Sequence, residues 1–239
     1  MRPELRKMVF LPVLRWSAIG VVAAVVVAAT AVALTGAGEE DLAPVFGLAL
    51  PTWLASVVVG VWLVGLEYGQ KTMRRTLSRN PNRLKLVVTK AALGVLAATL
   101  LTVLATVVAV PLLTVASAGH ELQVTATEVL RAGLGSLANN VVVVVMALSL
   151  ALLTRSMAGG LAVALGFFFV IDTVLTAIPM VGDYMFSAVA GEVFSWLSRD
   201  SFSEGVDGVG IALAVALTLV WAAAFLAAGV ARFVCSDVE

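Results

Sequence analysis

The octapeptide Gly65-Leu66-Glu67-Tyr68-Gly69-Gln70-Lys71-Thr72 matches the phosphate-binding pattern G-x-x-x-x-G-K-[ST] at every fixed position but one. Gln70 stands where the second glycine belongs, and that glycine lets successive backbone N–H groups close on a phosphate. The loop must also follow a β-strand and open a helix, whereas the apolar run before Gly65 reads as a membrane helix. The match is a coincidence of spacing, and the chain alone does not hydrolyse ATP. No Ser/His/Asp or Cys/His grouping supports nucleophilic catalysis. His120 has no second His or Cys nearby and makes no metal site. Cys235 is the single cysteine and forms no intrachain disulfide. The chemistry left to explain is charge set within apolar sequence: Asp172, Arg131, and a dense basic stretch from Glu67 to Lys90.

The elements that must hold these residues are membrane spans. Of 239 residues, 61% are hydrophobic and only 13% charged, where soluble domains are about half apolar. Formal net charge is zero, so no global field points to nucleic acid. The abundance of Ala and Val, with Arg preferred to Lys, points to a GC-rich bacterial genome and hence to a bacterial cytoplasmic membrane.

A span needs roughly 20 apolar residues. The uncharged runs are Ser17–Thr35, Leu42–Leu66, Ala91–Gly119, Ala132–Thr154, Ser156–Ile171 (extendable through Asp172 to Ile178) and Gly208–Ala231. We read an all-α integral membrane protein of about six transmembrane helices, residues 1–239 forming one transmembrane domain. The first run is too long for a secretory leader, whose apolar region is about 7–15 residues, and is read as a retained span. Residues 1–15 alternate apolar and charged positions as an interfacial helix does. Lys and Arg in short loops set orientation. With the N-terminus inside, thirteen of the fifteen basic residues fall on inner segments, leaving Arg131 and Arg199 outside. Both termini are then cytoplasmic.

Seven of the fifteen Lys and Arg lie between the second and third runs: Lys71, Arg74, Arg75, Arg79, Arg83, Lys85 and Lys90. Lys71, Arg74, Arg75, Ser78 and Arg79 share one helix face by their spacing, while Leu66, Met73 and Leu77 lie on others. Asn80-Pro81 ends this short amphipathic helix, because proline disfavours helix at the residue before it. As a plain anchor, each basic residue meets anionic lipid for about 1 kcal/mol. That does not explain why this inner loop is a structured helix while the one at Arg155 is a few residues long. A docking surface for a cytosolic partner does.

Glu67, Gly69, Thr72, Arg74, Leu77, Ser78, Arg79, Asn80, Pro81, Arg83 and Lys90 follow an order that resembles the permease subunits of ABC-2 type transporters. The departure is Gln70-Lys71, inserted between the glycine and the threonine that the family more often sets side by side. The resemblance extends to the topology of nearly the whole chain. It implies a coupling helix over 68–84 that docks a separate ATP-binding subunit. Glu67, Tyr68, Met73, Arg74, Arg75, Leu77, Arg79 and Pro81 would be the ATPase-coupling residues. ATP and Mg would be bound by that partner, with no cofactor in this chain. It also implies a second permease copy, in a homo- or heterodimer, and export of a hydrophobic or amphipathic compound such as a drug, lipid or peptide.

The outer segment 179–207 carries Val181, Met185, Val189, Val193, Trp196 and Leu197 at about helical spacing. It reads as an amphipathic helix anchored in the interface by Tyr184 and Trp196; the resemblance implies a re-entrant element at an outer gate with Tyr184, Met185 and Trp196. Asp172 lies in the fifth span, and an intramembrane acid calls for a named partner; Arg131 is at a compatible depth, so an Asp172–Arg131 pair is expected. Asn139 and Asn140 read as interhelical glue, and Gly160/Ala164 and Gly94/Ala98 as close-contact pairs. Two other functions fit the same residues: an ion-coupled secondary transporter using Asp172, and a non-transporting membrane scaffold or immunity-type protein.

Overall fold

The computed structural model describes residues 12–35, 43–70, 72, 82–118, 125–198 and 210–235, all of them helix, turn or short connection. Its elements are α1 (Pro12–Thr35), α2 (Ala43–Gly69), α3 (Arg83–Ala116), α4 (Ala126–Thr154), α5 (Met157–Gly166), a π-helical turn (Phe167–Ile171), α6 (Asp172–Thr176), a 3-10 turn (Gly182–Tyr184), α7 (Phe186–Ser198) and α8 (Ile211–Cys235). Among the described residues, six helices are long and apolar enough to cross a membrane, α5 through α6 counting as one.

α4 is the hub. It packs against α2, α3, α5, α7 and α8, and its largest interface is with α2. Lipid tails are as apolar as leucine, so helices associate here through close packing and hydrogen bonds rather than hydrophobic exclusion. At Gly60 α2 comes close to α4: a Cβ at this position would lie 2.6 Å from the backbone oxygen of Val144. Gly65 does the same for α2 on α5, where a Cβ would meet Met157 Cα at 2.7 Å. The glycine that opened the near-match to a phosphate loop is thus a helix-packing glycine. Gly94, Ala98, Gly160 and Ala164 are all buried in helix contacts, as their spacing predicts.

Several boundaries differ from the charge-delimited runs. α2 continues through Glu67 and Tyr68, and α3 already begins at Arg83, so Arg83, Lys85 and Lys90 belong to a span. Asn82 caps α3, its side chain accepting from Lys85 N at 2.9 Å. Pro12 to Arg15, assigned to the interfacial helix, are the first turn of α1. The rest of that helix, residues 1–11, lies outside the described residues, as do the termini. α4 starts earlier than the run at Ala132, at a reciprocal cap in which Thr125 N donates to Glu128 Oε2 at 2.8 Å and Glu128 N to Thr125 Oγ1 at 3.4 Å. Of the outer segment, the 3-10 turn and α7 are described; 199–207 are not.

Candidate functional sites at the two ends of the bundle

At one end, the antiparallel pair α2–α3 brings the last turn of one helix beside the first turns of the next. Lys90 Nζ lies 2.9 Å from Glu67 Oε1, and the two side chains are 7% and 13% exposed. Lys90 also donates to the Leu63 carbonyl, one turn below Glu67. An ion pair this enclosed is held by geometry and surrounding hydrogen bonds, since each charge alone would be costly to bury.

Two arginines at the same end grip the last helix. Arg83 donates to the carbonyls of Phe233 at 2.8 Å and Val234 at 3.1 Å, and its guanidinium sits 5.8 Å from the Phe233 ring centre. Arg155 donates to the Arg232 carbonyl at 3.3 Å. These carbonyls lie in the last turn of α8, where a cation also complements the helix dipole. Arg155 occupies the tight α4–α5 turn with φ 53, a left-handed conformation unusual for a side-chain-bearing residue. Ser156 then caps α5, accepting from Gly159 N at 3.2 Å. Sequence reasoning missed the grip of Arg83 and Arg155 on α8; their assignment, with Arg232, to inner segments was the one signal that pointed to it. Replacing Arg83 with methionine removes charge-assisted bonds of about 1.5–3 kcal/mol each. A spin label on Cys235, the sole cysteine and an exposed one, is expected to report faster motion of the α8 terminus in Arg83→Met than in the wild type. Unchanged spectra would mean that Arg83 does not hold that terminus.

Of the coupling residues, Glu67 is the enclosed partner of Lys90 and Tyr68 is half-buried, both in α2. Met73, Arg74, Arg75, Leu77, Arg79 and Pro81 lie outside the described residues.

Toward the other end, the fifth span changes its winding. In the turn Phe167–Ile171 the N–H of Asp172 bonds the Phe167 carbonyl, five residues back. A π-turn of this kind inserts a residue and rotates the next turn of helix about the axis. Asp172 is thereby 1% exposed. Its Oδ2 accepts from Ser187 N at 3.1 Å, as the chain doubles back into the first turn of α7. The expected pair with Arg131 does not form: Arg131 is on an exposed face of α4, and the carboxylate meets a helix N-terminus instead. Periodicity assumes unbroken α-helix, which the π-turn interrupts.

Among the described residues, Asp172 Oδ1 and Asn139 Oδ1 are buried without hydrogen-bond partners. Both residues line a cavity of about 360 Å³, walled by Trp53, Phe168, Phe186 and Phe194 among others. Asn140 does act as glue, donating to Thr102 Oγ1 on α3 at 3.0 Å. Asn139, about 100° around the helix, faces the cavity. Within the outer segment, Val189 is buried, Tyr184 is 48% exposed and Trp196 60% exposed. Trp221 Nε1 donates to the Tyr184 carbonyl at 3.0 Å, tying the 3-10 turn to α8, and Met185 is half-buried between that turn and α7.

No protein-family model, curated protein or solved structure matches the chain.

Proposed function

We propose that this six-span membrane protein is the permease subunit of an ABC transporter, coupled through its basic connection to a separate ATP-binding subunit and working beside a second permease copy. The observation that carries the reading is mechanical. The two helices flanking the basic connection are locked together by Glu67–Lys90, and Arg83, at the start of the second of them, also holds the end of α8. Arg155 ties the α4–α5 turn to the same terminus. A push on 68–84 is thereby passed to most of the bundle. In this reading the basic end faces the cytoplasm, Tyr68, Met73 and Leu77 pack on the partner, and Arg74, Arg75 and Arg79 meet its acidic rim. ATP and Mg belong to the partner, and the cargo is a hydrophobic or amphipathic compound moved outward across a bacterial cytoplasmic membrane. α1, the α5–α6 span and α8 are the least enclosed spans, with 22%, 22% and 11% of their apolar windows buried. Lipid and the second copy have those faces available.

The test is charge reversal. After purification with its ATP-binding subunit and reconstitution, Arg74→Glu/Arg75→Glu is expected to lower ATP-driven transport tenfold or more while the permease stays folded. Full assembly and full transport in the double variant would refute the coupling role.

A second reading has its own observation: among the described residues, no basic side chain is paired with Asp172 in the membrane interior. As an ion-coupled carrier, the protein would lose transport when the proton gradient is collapsed and in Asp172→Asn, with no response to ATP. Sensitivity to neither ATP nor the gradient would leave a scaffold.

A further inference from the structure

We infer that the cavity beside Asp172 is a binding site for an amphipathic organic ammonium ion. It takes an N–H-bearing cation joined to an aromatic or alkyl body. The inference rests on the proposed transport role only for calling this ligand a cargo; binding itself is independent of it.

The volume, about 360 Å³, falls in the range of small-molecule sites, which are largely apolar with a few placed polar groups. Here those groups are two acceptors. Asp172 Oδ1 and Asn139 Oδ1 are buried and unpartnered among the described residues, so they ask for hydrogen-bond donors, and Asp172 asks for positive charge. The other carboxylate oxygen is already fixed by Ser187 N, so the free oxygen is held in place. Around them stand aromatic rings. Trp53 and Phe168 meet edge to face with centroids 5.1 Å apart, and Phe168 and Phe186 lie 5.6 Å apart. Such walls bury an apolar body and attract a cation to their faces. A neutral ligand would leave the carboxylate uncompensated in a membrane interior. An anion would be repelled by it.

The experiment uses the full chain in nanodiscs of zwitterionic lipid, without nucleotide or partner, and empty nanodiscs as the blank. Titration calorimetry compares 2-naphthylethylammonium with 2-naphthylethanol, which has the same body and no charge. The ammonium is expected to bind at least tenfold more tightly. Asp172→Asn keeps an acceptor for Ser187 N and is expected to erase that preference while alcohol binding stays. Equal affinities in the wild type overturn the inference. So does no binding of either probe, or an undiminished preference in Asp172→Asn. The wild-type comparison needs no variant and is immune to misfolding. Binding with no ATP-driven transport would retire the coupling reading and keep the site. ATP-driven transport with no ammonium preference would do the reverse.

Discussion

Lys90→Met is expected to destabilise the protein by about 3–5 kcal/mol, the range for removing one partner of a buried ion pair. Lys90 and Glu67 are almost fully enclosed at 2.9 Å, and the second oxygen of Glu67 has no partner among the described residues to fall back on. Loss of the ammonium therefore strands a carboxylate between α2 and α3. The Leu63 carbonyl loses a donor at the same time. Replacing both charges, in Glu67→Leu/Lys90→Met, should restore most of the stability, because well-packed apolar substitutes for a buried pair are often neutral or better. Reversible unfolding in mixed micelles measures both. A stable single variant would show that the pair is not part of the folded protein. The double variant also separates two roles. If the pair only stabilises, the doubly substituted protein should behave as the wild type in transport. If it transmits a push from 68–84, that protein should fold and yet respond weakly to ATP.

The same pair shows what a sequence reveals and what it hides. Long apolar runs fix the number of spans, because nothing else buries so many apolar side chains in succession. Their ends are less legible. Arg15, Arg83, Lys85 and Lys90 interrupt hydropathy without interrupting helix; within the bundle Lys90 is neutralised by Glu67 and Arg83 bonds the end of α8. Glu67 and Lys90 were both visible as members of a motif. Their contact comes from the hairpin: opposite charges flanking a connection between antiparallel helices end up side by side. Asp172 was legible as an oddity but not its partner, because no periodicity announces a π-turn. Asn139 and Asn140 look alike in sequence and diverge in space, one toward the cavity and one toward Thr102. Only helix packing decides that.

Gly60→Leu is expected to prevent assembly of the α2–α4 interface, and Gly60→Ala to destabilise at or above the upper end of the about 1–3 kcal/mol typical of overpacking. The reason lies in what the new Cβ would meet. The nearest atom is the Val144 backbone oxygen at 2.6 Å, then Ala147 Cβ at 3.0 Å and Leu148 N at 3.2 Å. A side chain can rotate away; a helix backbone cannot. α2 and α4 would have to separate along the largest interface in the bundle, and dispersion falls off within a gap of an ångström. Two comparisons make the expectation sharp. Gly20→Ala, with nothing within 4 Å of its Cβ, should leave folding unchanged. Trimming the opposing side chain, in Gly60→Ala/Ala147→Gly, should fail to rescue, because the first obstacle is backbone. Full rescue would mean that side chains, rather than a close backbone approach at Gly60, set the distance between the helices on which both ends of the molecule depend.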